Sequence, residues 1–500
     1  MSDIWLSDEA LAKTQPAEER GGGSPIPTQV VSNGEYLPWP QTRDQRRVEH
    51  EITALADRLA RPLGLSRRKF LRSACGMAAA FVAMNRVFGP FFDVSAAEAA
   101  DPAAARERAA RLRRQFVFDV QTHFVRDDFT WDGILMLGEY AKQWNPVLRE
   151  EGVTLRRYQL ENYLKEIFLD SDTSVALVSS APADDPSHTI VTDDGMARAR
   201  ALVNGLAGTR RMLAHGVIAP GKPGWLDRID EVAERLRPDS WKGYTVGDPL
   251  APSKFPWRMD DETVTYPGYE RIRRSGARIV CVHKGLVPPD YEKTFPNWEY
   301  AKVDDVGKAA RDWPDLTFVI YHSALKPFLT SPDENLADFE RTGRMEWVSD
   351  LADVRARWGV TNVYAELGTA FGSSAVTHPR HAAAMLGVLI KGLGADHVLW
   401  GTDSVWYGSP QWQIEAFRRI EIPDDLRHAH GFAALGSADG AVKRAILGGN
   451  AARLYGIKLA DAGDAPEAYA GDGVAATRRE YVASGGERSN LAYGFVRVRA

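Results

Sequence analysis

Eight short apolar runs constrain this chain more than any other feature of its sequence. They cover residues 115–120, 174–179, 212–219, 241–246, 277–282, 316–321, 362–367 and 397–401. Helically spaced stretches lie between most of them, at 160–168, 196–210, 225–236, 269–274, 303–312, 345–357 and 379–394. A strand too apolar to alternate is buried on both faces, and strand–helix alternation predicts βα units around a parallel sheet. Eight such units fit an α/β fold of the (β/α)8 TIM-barrel type. An open doubly wound sheet would carry a Gly-rich phosphate turn after its first strand, and Gln121-Thr122-His123 stands there instead. The barrel is therefore expected over 114–458.

The flanks read differently. Residues 1–65 are polar and broken by Gly and Pro, so the segment is expected to be largely disordered, with one short helix near 48–60. Residues 66–72 read Ser-Arg-Arg-Lys-Phe-Leu-Arg; an Ala-rich stretch at 74–84 and small residues at 95–99 come after it. The 66–100 segment resembles a twin-arginine export signal, which implies a twin-arginine translocase as partner and a periplasmic location. The alternative is a packed helical arm on a cytoplasmic protein. Residues 459–474 read as a linker, and 493–499 as a strand or arm that docks on the barrel or on a second subunit of a homo-oligomer. The net charge of −5 gives no basic footprint for nucleic acid, and two cysteines cannot build a disulfide framework or a Cys-rich zinc site.

Barrel enzymes draw their reacting groups from the C-terminal ends of different strands. The strand on the first run is read to end at His123, the fifth at His283, the sixth at His322 and the eighth at Asp403. Three imidazoles and a carboxylate suit a divalent metal with an attached general base. Strand alternation places Asp119, Gln121 and His123 on one face, toward the barrel mouth. Glu366 shares parity with Tyr364 and is a substrate-binding candidate, as are Gln121 and Trp406. Lys242 is read as an ordinary strand-edge lysine, and His378 and His381 as structural.

Five segments resemble the amidohydrolase-related superfamily. They are 118–123, Val282-His283, Tyr321-His322-Ser323-Ala324, Trp400-Gly401-Thr402-Asp403-Ser404 and the Gly-Gly-Asn-Ala-Ala-Arg stretch at 448–453. Within it, the chain is similar to the branch holding aminocarboxymuconate-semialdehyde decarboxylase, aromatic-acid decarboxylases and lactone hydrolases. The resemblance implies His123, His283 and Asp403 as metal ligands, with His322 and Asp403 as the acid/base groups. It implies one divalent metal, zinc foremost with manganese or iron as alternatives, and a small-molecule substrate. The expected activity is hydrolysis of a small cyclic or carboxylated ester, lactone or amide. The alternatives are decarboxylation on the same site or an inactive ligand-binding barrel. The family pair is His-x-His, whereas Gln121 stands first here, so a metal-free site is the competing expectation.

Overall fold

The computed structural model describes residues 24–33, 39, 41–130, 155–249, 251–286, 291–326, 331–460 and 464–486. Eight parallel strands succeed one another in chain order around one sheet: β1 (Phe118–Thr122), β2 (Val175–Val178), β3 (Met212–Val217), β4 (Ser240–Tyr244), β5 (Ile279–His283), β6 (Thr317–Tyr321), β7 (Val363–Glu366) and β8 (Val398–Leu399). Each falls on its apolar run. The chain after β8 closes the barrel against β1. Val120 N–H donates to the Trp400 carbonyl at 3.0 Å, Asp403 N–H to Gln121 at 2.9 Å, and His123 N–H to Ser404 at 2.7 Å. Phe118, Val120, Leu177, Leu213, Cys281, Val319, Tyr321, Tyr364 and Leu399 pack inside as the barrel core.

Helices wrap the outside in two groups. The N-terminal layer holds α1 (Arg43–Ala60), α2 (Ala74–Phe88) and α3 (Pro102–Leu112). The barrel helices used below are α4 (Asp193–Ala207), α5 (Trp225–Leu236), α6 (Tyr266–Ser275), α7 (Val306–Asp312), α8 (Pro379–Leu393) and α9 (Gln411–Arg419). The helical spacing at 225–236 and 379–394 matches α5 and α8 almost to the residue. The 345–357 stretch instead splits into Val348–Ala352 and Val354–Trp358.

The larger difference lies at the N-terminus. Residues 24–33 are packed rather than disordered, with Ile26, Val30 and Val31 buried. The expected helix at 48–60 begins at Arg43, because Thr42 and Gln45 form a reciprocal cap. α2 carries the Ala-rich stretch and buries Cys75 through Phe81 in the main core. Its small side chains allow close approach: a Cβ on Gly76 would collide with the Leu71 backbone. The layer is tied to α9 through Asp93 N–H to the Arg419 carbonyl and the Glu98–Arg419 ion pair.

At the other end, α10 (Gly473–Ala483) docks on α4, within the same chain. Buried Arg211 on the barrel donates to Asp472 at 2.6 Å and to the Tyr469 carbonyl at 2.8 Å. The expected strand at 493–499 lies outside the described residues, as do residues 1–23.

Candidate active site

Gln121 occupies the centre of the site. Its Nε2 donates to Asp403 Oδ1 at 3.0 Å and to His322 Nε2 at 3.2 Å, and lies 3.5 Å from His123 Nε2. His123 Nε2 is itself 3.0 Å from Asp403 Oδ1. These four residues are each 3% exposed or less.

A bulge in β1 makes this convergence possible. Asp119 pairs with Ala176 and Thr122 with Val178, so β1 carries one extra residue between the two rungs. Before the bulge Phe118 and Val120 fill the core; after it Gln121 and His123 face the mouth. Asp119 does not share their face, as simple alternation would have it. Its carboxyl accepts from Thr402 N–H at 3.0 Å, from the Thr402 hydroxyl and from Gln121 N–H, and so clasps the closing segment to β1. Burial pushes its pKa up to about 7 against those hydrogen bonds.

The tautomers are set by the outer nitrogens. His322 Nδ1 lies 2.8 Å from the Gly368 carbonyl and His123 Nδ1 3.0 Å from the Ser179 carbonyl. Both must donate there, because a carbonyl cannot. The Nε2 lone pair of His322 is thereby aimed at the Gln121 amide. Nε2 of His123 faces a carboxylate oxygen, so a proton is shared between them. Burial pushes the Asp403 carboxyl up, but His123, His322 and the Thr369 hydroxyl outweigh it and hold it well below the usual range. Thr369 donates to Asp403 Oδ2 at 2.6 Å and Tyr407 supports Thr369 at 3.2 Å. Sequence reasoning missed Thr369; its only mark is a place three residues after β7.

His283 stands beside this group. Its ring stacks on Tyr244 at 4.3 Å and meets His322 edge-on at 4.5 Å. Burial, then the Lys242 charge, keep its pKa well below the ordinary histidine value. Lys242 is not a strand-edge residue: it is buried, with Nζ 3.4 Å above the Tyr321 ring. Trp406 stacks near the His123 ring at 5.8 Å and against Tyr158. His378 and His381 lie away from the group, His378 against Gln45 of α1.

Glu366 sits behind His322 rather than open to the mouth. Its oxygens accept His322 N–H at 3.0 Å and Gly368 N–H at 2.5 Å. Burial outweighs those bonds and raises its pKa to about 8, so it is protonated at neutral pH. Its support meets a real cost. His322, Ser323, Thr369 and Asp403 all have φ between 50° and 61°, which for non-glycine residues costs about 1–3 kcal/mol each.

The fit of a metal can be tested on Gln121. Among the described residues no three His, Cys, Asp or Glu side chains are placed to hold a metal ion. The acceptors that a cation would draw together surround the Gln121 amide hydrogens instead. Gln121 Oε1, the atom that could ligate, points away and has no hydrogen-bond partner among the described residues. It flanks Gly368 on the same side as Glu366 Oε1. The residues as arranged therefore do not assemble the expected His123, His283 and Asp403 ligand set.

The profile of the family described as Amidohydrolase matches residues 118–457. Among solved structures, an uncharacterised TIM-barrel protein from Bordetella bronchiseptica is 15% identical (68% of this chain, 98% of that one, TM-score 0.43). The 5-carboxyvanillate decarboxylase of Sphingomonas paucimobilis is 16% identical (69% and 100%, TM-score 0.40). A dihydroxybenzoic acid decarboxylase of Polaromonas sp. JS666, with bound manganese and 2-nitroresorcinol, is 14% identical (70% and 99%, TM-score 0.39). Among curated proteins no sequence matches the chain.

Proposed function

Because this chain belongs to the amidohydrolase family, an enzyme family, we propose that it hydrolyses a small cyclic or carboxylated ester, lactone or amide without a bound metal. The observation that carries the proposal is the Gln121 amide at the meeting point of Asp403, His123 and His322. In a metal-dependent site a cation would neutralise Asp403 and polarise the carbonyl. Here the Gln121 N–H donors supply part of that charge stabilisation, in a buried place where such dipoles act strongly.

The residues divide the proton transfers. His322 Nε2, already aimed inward, accepts a proton from water as its oxygen adds to the substrate carbonyl. Gln121 gives up its bond to His322, which frees that nitrogen for the water, and donates the released N–H to the carbonyl oxygen as negative charge develops while its other N–H stays on Asp403. The proton held between His123 and Asp403 passes to the leaving oxygen or nitrogen as its bond to carbon breaks. Asp403 holds the His123 ring and its proton until that transfer, and His123 regains a proton from water afterwards.

A second reading has its own observation. Trp406 lies along the His123 ring and offers an aromatic face. A bound aromatic acid stacked there would take the His123 proton on its ring carbon and release CO2 by carbon–carbon cleavage.

One panel tests both readings. The enzyme is dialysed against EDTA, checked for metal by mass spectrometry, and offered p-nitrophenyl acetate, dihydrocoumarin and 2,6-dihydroxybenzoate. Lactone or ester turnover without metal, abolished by His322→Asn, supports hydrolysis. CO2 release from the benzoate alone supports the second reading. Turnover that returns only with added metal refutes the metal-free site.

We also propose that the Ser66–Arg72 segment directs export of the folded chain with its N-terminal layer attached. Arg67 and Arg68 are exposed while Phe70 and Leu71 are buried. Arg67→Lys with Arg68→Lys is expected to retain the protein in the cytosol. A wild-type protein found only in the cytosol refutes export.

A further inference from the structure

Asn33 reaches the site from outside the barrel, 370 residues away in sequence from the aspartate it touches. Its Nδ2 donates to Asp403 Oδ2 at 2.8 Å and to Thr369 Oγ1 at 3.2 Å. The chain leading to it is sunk into the protein: Ile26, Val30, Val31 and Ser32 are 2% exposed or less. Further along, Gln45 of α1 contacts the Thr377 carbonyl and His378, in the same segment after β7 that carries Thr369. α1 in turn packs on α2 in the main core. An amide delivered this way is held from both sides.

The carboxylate geometry shows what it does there. A carboxylate offers about four lone-pair positions. Oδ1 of Asp403 faces Gln121 and His123, and Oδ2 receives Thr369 and Asn33. The Thr369 hydroxyl, steadied by Tyr407, holds Oδ2 at one point only and leaves the carboxylate some freedom to turn about its Cβ–Cγ bond. A second donor that also touches the hydroxyl oxygen fixes both. Donors to an ionised acceptor are the strong class of hydrogen bond, so the restraint is substantial.

We propose that Asn33 is a positioning residue of the active site. It fixes the Asp403 carboxylate so that Oδ1 stays on His123 and Gln121, and it makes segment 24–33 part of the working enzyme. Only the kinetic arm of the test rests on the functional reading above.

The experiment uses the full-length chain with 15N-labelled histidine and compares Asn33→Leu, Asn33→Ala and Val30→Ala. Val30→Ala is the packing control: it loosens the same segment without removing the donor. Both Asn33 variants are expected to move the His123 Nε2 resonance while melting near wild type. They are expected to lower kcat on dihydrocoumarin about 10-fold with KM nearly unchanged, the size of one lost hydrogen bond to a charged group. Val30→Ala is expected to melt earlier and leave the resonance in place. A folded Asn33 variant with an unmoved His123 resonance overturns the proposal, and so does a Val30→Ala variant that moves it equally. Should wild type turn over none of the substrates, the hydrolase reading fails while the resonance still decides this one.

Discussion

Gln121→Leu is the substitution that separates the proposed metal-free site most sharply from a metalloenzyme. It keeps the bulk of the side chain and removes the donors to Asp403 at 3.0 Å and His322 at 3.2 Å. A hydrogen bond to a charged acceptor contributes about 1.5–3 kcal/mol, and carried into the transition state this is about 10- to 150-fold in kcat/KM. Little stability is lost with Gln121 Oε1, which has no partner among the described residues to leave behind. The reverse substitution adds what the site lacks. His123 Nε2 and Asp403 Oδ1 are 3.0 Å apart, close to the spacing of two donors that each sit about 2.0–2.1 Å from a shared zinc ion. Gln121→His places a third donor beside them. Metal counting by mass spectrometry on protein purified without chelator reads the outcome. Wild type and Gln121→Leu are expected to carry negligible metal, and Gln121→His close to one zinc per chain. A full equivalent of metal in wild type, or undiminished turnover in Gln121→Leu, refutes the reasoning.

Gly401→Ala is expected to abolish activity, because its new Cβ would overlap Glu366 Oε1 and displace the carboxyl that holds His322 N–H; turnover and the melting curve check it together. Stability is expected to fall as pH rises from about 5 to about 8. Glu366 at about 8 and Asp119 at about 7 bind protons in the folded chain that the unfolded chain has already released, so raising the pH favours unfolding. Glu366→Gln should flatten that decline in chemical denaturation, and an unchanged slope would refute the assignment. Arg211→Met strips the buried Asp472 carboxylate of its cation and is expected to cost about 3–5 kcal/mol, with early proteolysis of α10 as the readout.

Local periodicity determined much of this protein. Apolar runs and helical spacing are properties of neighbouring residues, so the eight βα units are legible without any knowledge of contacts. So are His123, His283, His322 and Asp403, which stand at the ends of four of those runs. Their arrangement is not legible. The extra residue in β1 interrupts strict alternation, and no local pattern marks it, so alternation alone puts Asp119 on the wrong face. Barrel closure brings Asp403 to Gln121 across 282 residues, and its register depends on every strand pairing between them. The Gln121 amide takes the centre because closure sets Asp403 and His322 as acceptors on its two hydrogens, which composition cannot foretell. Thr369 and Asn33 are ordinary polar residues in sequence, and only the packed N-terminal layer carries Asn33 to the carboxylate. Sequence thus determined the scaffold and the chemical types at its rim, because both are short-range; tertiary structure decided which atoms meet, because hydrogen bonding in a buried site is set by distances between distant segments.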